Sequence, residues 1–126
     1  MKNTYLTALQ AGWPDATWSL PDIDNYDTLE WLTNEMERPT LDEVSAKLNE
    51  LNMQEAMRLL KRERDILLQK SDVYALPDFP HSAPEKREEW LEYRQKLRDL
   101  PSTYTPELND KLELDNDSFS LPIKPT

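Results

Sequence analysis

His81 is the single histidine of a 126-residue chain that contains no cysteine. A nucleophile–base pair needs a histidine or another tuned base beside the attacking group. Here the one candidate lies between Pro80 and Ser82, a proline-bounded turn where a surface or helix N-terminal position is expected. Without a second histidine or a thiolate, no transition-metal site is expected. The run DNDS at 115–118 brings three oxygen ligands together but lacks the glycine and terminal glutamate of an EF-hand loop. It reads as a turn. Asp and Glu number 25, yet nothing marks two of them as buried with separated pKa values. These residues predict no enzyme, no cofactor and no bound metal.

Composition narrows the remaining classes. A formal net charge of −10 argues against direct binding to a nucleic-acid backbone, which is driven by Lys and Arg neutralising phosphates. It favours solubility and basic partners. Only 37% of the chain is apolar and 32% is charged, so a lean helical fold with extended arms, or a chain completed by a partner, is expected. One glycine against ten prolines nearly excludes glycine-rich phosphate cradles and makes the non-helical parts stiff. The start MKNTYLTALQAGWPD lacks the apolar core of a signal peptide, and no run approaches the roughly 18 apolar residues of a membrane span. The expectation is residence in the cytoplasm unless the protein is carried out on a particle, with neither membrane nor nucleic acid as partner.

The elements follow from periodicity. Residues 1–39 are aromatic-rich, and ATWSL (16–20) and TLEWL (28–32) alternate as short strands about the turn-forming PDIDNYD. Trp13, Trp18 and Trp31 are expected to pack a small core or dock on helices rather than stack a ligand. Thr40 and Glu43 form a capping box, and Leu41, Val44, Leu48 and Leu51 repeat at helical spacing. Asn52 and Glu55 repeat the capping-box spacing, which predicts a break near Leu51–Met53. The reading is a short helix over about 41–51 and a second over about 54–70. Ser82 and Glu85 cap a third, over about 83–100, with Pro84 in its first turn and a stop before Pro101. Its seam is Trp90, then Tyr93 or Arg94, then Leu97 and Leu100. The fold class is mainly α: a helical hairpin preceded by a short helix, with a small N-terminal β-hairpin and extended, proline-rich ends. The organisation is an aromatic segment over 1–39, a helical domain over 40–101 and an acidic extended tail over 102–126. In that tail LELDNDSFSL suits a strand pair around the Asp-Asn-Asp turn, ordered if a neighbouring surface holds it.

Charge and proline define the middle of the hairpin. Arg58, Lys61, Arg62, Arg64 and Lys70 lie before it, and Glu85, Glu88, Glu89 and Glu92 open the next helix. Facing in an antiparallel pair, they offer many weak ion pairs, each under about 1 kcal/mol, that together favour one register. A solvated charged face is the preferred reading of these residues, with register selection or a partner surface as the alternative. Between them SDVYALPDFP (71–80) reads as a rigid corner. Ser71 and Asp72 leave one helix, Pro77 and Pro80 fix the path, and Tyr74, Leu76 and Phe79 plug the underside, with Leu76 and Trp90 burying together.

The run MRLLKRERDILLQKSDVYALPDFPHSAPEKREEWLEYRQKLRDLP (57–101) closely resembles the characteristic region of phage tail assembly chaperone-like proteins. The matching residues are Arg62, Arg64 and Asp65; Ser71 and Asp72; Leu76, Pro77, Asp78 and Pro80; and Trp90, Tyr93, Arg94, Gln95, Leu97, Arg98 and Asp99. The upstream ATWSL, YDTLEWL and RPTLDEVSAKLNEL and the closing LPIKPT look like looser parts of the same proteins. One departure stands out: those proteins place tryptophan directly after Ser/Thr-Asp, whereas here Val73 is followed by Tyr74. If that tryptophan makes a needed contact, Tyr74 must supply it from a shifted position.

The resemblance implies a non-enzymatic phage protein that binds tail components, whether fibre, baseplate or tube proteins, during assembly. It acts in the host cytoplasm and then either leaves or stays in the virion tail as a connector. The partner-binding or motif residues so implied are Arg62, Arg64, Asp65, Asp72, Tyr74, Leu76, Pro77, Asp78, Pro80, Trp90, Tyr93, Arg94, Leu97 and Arg98. The competing reading is an acidic inhibitor that mimics nucleic acid to block a host enzyme. The interleaving of acids and bases over 54–100 argues against the single-sign surface such a mimic needs.

Overall fold

From Leu41 to Ser71 the sequence contains neither glycine nor proline, so nothing in that run forces a helix to end once Thr40 has begun one. A computed structural model describes residues 3–126. Its elements are helix α1 (Tyr5–Gly12), strands β1 (Trp18–Ser19) and β2 (Glu30–Trp31), helix α2 (Leu41–Ser71) and helix α3 (Pro84–Thr103). The chain is mainly helical, as its periodicity predicts, with a small antiparallel N-terminal hairpin. No helix among the described residues is long and apolar enough to cross a membrane.

The break expected near Leu51–Met53 does not occur. α2 is one helix of 31 residues, spanning about 46 Å at 1.5 Å per residue. Its start is the expected one: Glu43 N–H donates to Thr40 Oγ1 at 3.2 Å, and Thr40 N–H reaches Glu43 Oε1 at 3.5 Å. Asn52 does not cap a second helix. Its Oδ1 instead accepts from Asn3 Nδ2 at 3.2 Å, and mid-helix asparagine costs at most about 0.7 kcal/mol relative to alanine, too little to interrupt the ladder.

Two compact units divide the chain, Met1–Gln54 and Glu55–Thr126. The first builds its core from Ala8 and Leu9 of α1, Leu20, Tyr26 and Leu29 around the hairpin, and Val44 of α2. α1 lies in the aromatic-rich 1–39 segment, for which only a small β-hairpin is expected. Thr7 Oγ1 accepts from Thr4 N–H and donates back to Thr4 O, starting the helix. The strands pair Trp18 with Trp31 and Ser19 with Glu30. Trp13, Trp18 and Trp31 all pack against this core, the expected packing role. The Tyr26 hydroxyl donates to the Pro39 carbonyl, and the Arg38 guanidinium lies 5.5 Å from the Tyr26 ring centroid. Burial raises the Tyr26 phenol above its ordinary value, and the neighbouring Arg38 opposes that rise.

In the second unit Trp90, Tyr93, Leu97 and Leu100 of α3 are buried against Leu60 of α2 and against Phe119, which settles the seam on Tyr93 rather than Arg94. α3 departs from expectation at both ends. Its N-cap is Ala83, not Ser82, because Pro84 at the first helical position holds the preceding residue extended, at φ −154° and ψ 153°. At the other end the helix runs through Pro101 to Thr103. Pro101 removes one N–H, but the hydroxyls of Ser102 and Thr103 both donate to Asp99 O, at 2.8 and 2.9 Å, and Tyr104 N–H closes on Leu100 O.

The last segment is ordered by its own unit. Leu108 and Leu114 form an antiparallel bridge, Pro106 is fully buried, and Phe119 enters the core at 7% exposure. The strand pair centres on residues 109–113 rather than on Asp-Asn-Asp. DNDS is a 3₁₀ turn in which Asp115 Oδ1 accepts from Asp117 N–H at 3.0 Å. Its first carboxylate serves as a backbone cap.

Candidate functional site: an arginine-clasped corner

α2 ends at Ser71 and a 3₁₀ turn, Asp72–Ala75, leads into the prolines. A helix end leaves carbonyls without partners and carries partial negative charge. Arg94 of α3 meets both needs. Its Nη1 donates to Leu68 O at 2.7 Å and to the buried Ser71 Oγ at 2.8 Å, and its Nη2 pairs with Asp72 Oδ1 at 2.8 Å. Ser71 is 3% exposed and itself donates to Leu68 O. With the guanidinium 14% exposed, its bonds to Leu68 O and the buried Ser71 Oγ contribute on the order of 1.5–3 kcal/mol each, while the exposed Asp72 adds a pair of surface strength.

Arg87 performs the same service for the prolines. It donates to the carbonyls of Leu76 (2.8 Å), Pro77 (3.0 Å) and Phe79 (3.2 Å). Sequence reading missed this residue. A proline-interrupted segment cannot satisfy its own carbonyls by regular pairing, and arginine is the side chain with five donors. The need was therefore readable, while the choice of Arg87 over its helical neighbours was not.

Aromatic contacts fill the inside of the turn. The Tyr74 ring stacks on Trp90 at 3.8 Å between centroids and 9° between planes. Phe79 meets Tyr74 edge-on at 4.9 Å, and His81 lies 4.6 Å from Phe79. His81 Nε2 is 2.9 Å from Tyr74 O. A carbonyl only accepts, so that nitrogen carries the proton and donates. The histidine is a turn brace. Trp90 meets Tyr93 edge-on at 5.7 Å, and burial raises the Tyr93 phenol above its ordinary value.

One expectation is corrected here, and one alternative is set aside. Trp90 is buried at 5% exposure, but Leu76 is 49% exposed, so the two do not bury together. Tyr74 occupies the face of Trp90, and Arg87 holds the Leu76 backbone in an extended conformation at the rim. The plug is therefore Tyr74 and Phe79. Nor do opposed charges set the register. Among the described residues no ion pair joins the basic side chains of α2 to Glu85, Glu88, Glu89 or Glu92. Arg58 pairs with Glu55, Arg64 with Asp65, Lys86 with Glu89 and Lys96 with Glu92. The pairs that do form are local to each helix, while Arg94 and Arg87 tie α3 to the end of α2 and to the corner. The Glu55 carboxyl is held below its ordinary value first by its hydrogen bonds from Arg58.

The motif residues thus sort into three groups. Tyr74, Trp90, Tyr93, Arg94 and Leu97 build the hairpin from within, and the exposed Asp72 carboxylate pairs with Arg94. Leu76, Pro77, Asp78 and Pro80 are exposed on the corner. Away from it, Arg62 is exposed on α2, Arg64 and Asp65 bond each other, and Arg98 donates to Gln95 Oε1 on the outer face of α3. No curated protein and no solved structure matches the chain. The family model described as phage tail assembly chaperone protein does match, over residues 57–125. That span takes in the clasped corner, all of α3 and the segment that Phe119 anchors, and the chain belongs to that family.

Proposed function

We propose that the protein takes part in tail assembly by binding other tail components, fibre, baseplate or tube proteins, through the exposed rim of the clasped corner. The family supplies the role in tail assembly and is generally non-catalytic. The choice of surface rests on one observation. Leu76, Pro77, Asp78 and Pro80 spread their side chains into solvent while Arg87 pins the carbonyls of the same segment. A half-exposed leucine contributes little to the fold, and a rigid backbone lowers the entropy cost of docking it on a partner. The protein is read as a binder without catalytic activity, working in the host cytoplasm and departing or staying with the virion.

A tagged chain recovered from infected cells tests this reading, with Leu76→Asp beside wild type and mature particles assayed by mass spectrometry. The expected result is capture of tail proteins by wild type and loss of capture by the variant at unchanged melting temperature. Equal capture by both would remove the corner from the interface. Presence at fixed stoichiometry in particles marks a retained connector, and absence a departing chaperone. Capture of host DNA-binding enzymes alone would favour the nucleic-acid mimic, a reading weakened by the exposure of Arg58, Lys61 and Arg62 together on α2.

A further inference from the structure

The exposed side of α2 in the second unit carries a groove of about 400 Å³ lined by Arg58, Lys61, Arg62, Asp65, Ile66 and Gln69. These positions recur every three to four residues and so share one helix face. Over residues 58–70 five cations stand against two carboxylates, Glu63 and Asp65, within a chain of net charge −10. Arg58 is engaged by Glu55, but among the described residues no ion pair involves Lys61 or Arg62. Ile66, 38% exposed, lies one turn beyond Arg62 in the same groove. The face asks for a carboxylate-bearing segment with an apolar residue in its middle.

The same unit displays such a segment. Residues 107–117 hold five carboxylates against one lysine, Lys111. At the tip of their turn Leu112 adopts φ 61°, a left-handed conformation that costs a non-glycine residue free energy. Four bonds hold it there: Asn109 Oδ1 accepts from Lys111 N–H and Glu113 N–H, Asn109 N–H donates to Glu113 O, and Leu112 N–H donates to Asn109 O. The result is an apolar side chain, 36% exposed, on a turn that also carries the exposed Asp110 and Glu113. Strain that the surroundings maintain is a pointer to use. Within one chain no hydrogen bond or ion pair among the described residues links this turn to the basic groove.

We infer that two copies of this chain pair reciprocally, the Leu112 turn of each entering the Arg58–Lys61–Arg62–Ile66 groove of the other. Leu112 meets Ile66, and Asp110 and Glu113 meet the cations. Done twice about a twofold axis, the exchange closes on itself as a dimer. Charges of this kind set orientation and association rate and weaken with salt.

Sedimentation equilibrium on the full chain, from micromolar to millimolar concentration, tests the pairing. A monomer–dimer equilibrium is expected at about 0.05 M salt, with the association constant falling at least about tenfold at about 0.5 M. The double variant Lys61→Glu, Arg62→Glu and the double variant Asp110→Lys, Glu113→Lys should each be monomeric alone. Mixed, they should pair again, since each acidic groove then meets a basic turn and each basic groove an acidic one. Leu112→Gly relieves the strained φ, so it should melt no lower than wild type while losing association. A monomer at every concentration, a mixture no more associated than its parts, or undiminished pairing by Leu112→Gly would each overturn the proposal.

Discussion

Arg94 illustrates how much a single side chain decides in a fold with so few buried residues. Its guanidinium satisfies a helix-end carbonyl, a buried hydroxyl and a carboxylate through two of its nitrogens, a fork that a lysine ammonium cannot copy. Arg94→Lys should therefore cost about 1–3 kcal/mol in denaturant unfolding, through the groups it leaves unpaired. Arg98→Lys, whose bonds go only to exposed Gln95, should stay within about 0.5 kcal/mol. Equal losses would mean that the clasp contributes no more than a surface pair. Tyr93 gives a pH dependence with a definite sign. Burial raises its folded pKa above the ordinary 10.0, so the folded state favours the neutral phenol. The stability linked to Tyr93 is then fully present below pH 10.0 and is lost as pH rises through the higher folded value. Tyr93→Phe should show a smaller drop in melting temperature between neutral and alkaline pH than wild type does. A parallel drop in both proteins would assign the alkaline loss to other groups.

Helix α2 shows which parts of an element its residues announce and which they do not. The capping box at Thr40 and Glu43 and the apolar repeat of Val44, Leu48 and Leu51 were legible because both depend on spacing alone. The same spacing at Asn52 and Glu55 misled, since an Asn-x-x-Glu string caps only where the preceding residue leaves the helix, and nothing before Asn52 compels that. α1 escaped notice because it has eight residues and a threonine-based start and takes much of its stability from burying Ala8 and Leu9, a tertiary fact. The corner was legible as rigid from its prolines. Its donors were not, because Arg87 acts on carbonyls eight to eleven residues away. Met53→Pro separates the two readings of α2. Met53 is 53% exposed, so its side chain matters little. At the first turn of a new helix proline would be tolerated, but inside a continuous helix it should cost about 3 kcal/mol or more. An unfolding midpoint close to that of wild type would restore the break.

At the scale of the molecule, the apolar residues form two cores that share no member. One gathers Ala8, Leu9, Leu20, Tyr26, Leu29 and Val44, and the other Leu60, Trp90, Tyr93, Leu97, Leu100 and Phe119. Each is small, so each is sensitive to the loss of one large side chain. Leu9 and Leu97 are both fully buried, and truncating either to alanine should cost about 2–5 kcal/mol. Cores that open separately should reveal themselves in amide hydrogen exchange, because protection reports the cooperative unit in which each amide is released. Leu9→Ala should lower protection in α1, around the hairpin and over residues 41–54, leaving α3 close to wild type. Leu97→Ala should do the converse, exposing α3 and residues 57–71 while Ala8 and Val44 keep their protection. The amides near Asn52 are the informative ones, because they belong to an uninterrupted helix that draws stability from both cores, and they should respond to both variants in intermediate degree. Loss of protection everywhere in both variants would mean that α2 transmits unfolding from one core to the other and that the chain opens as a single unit.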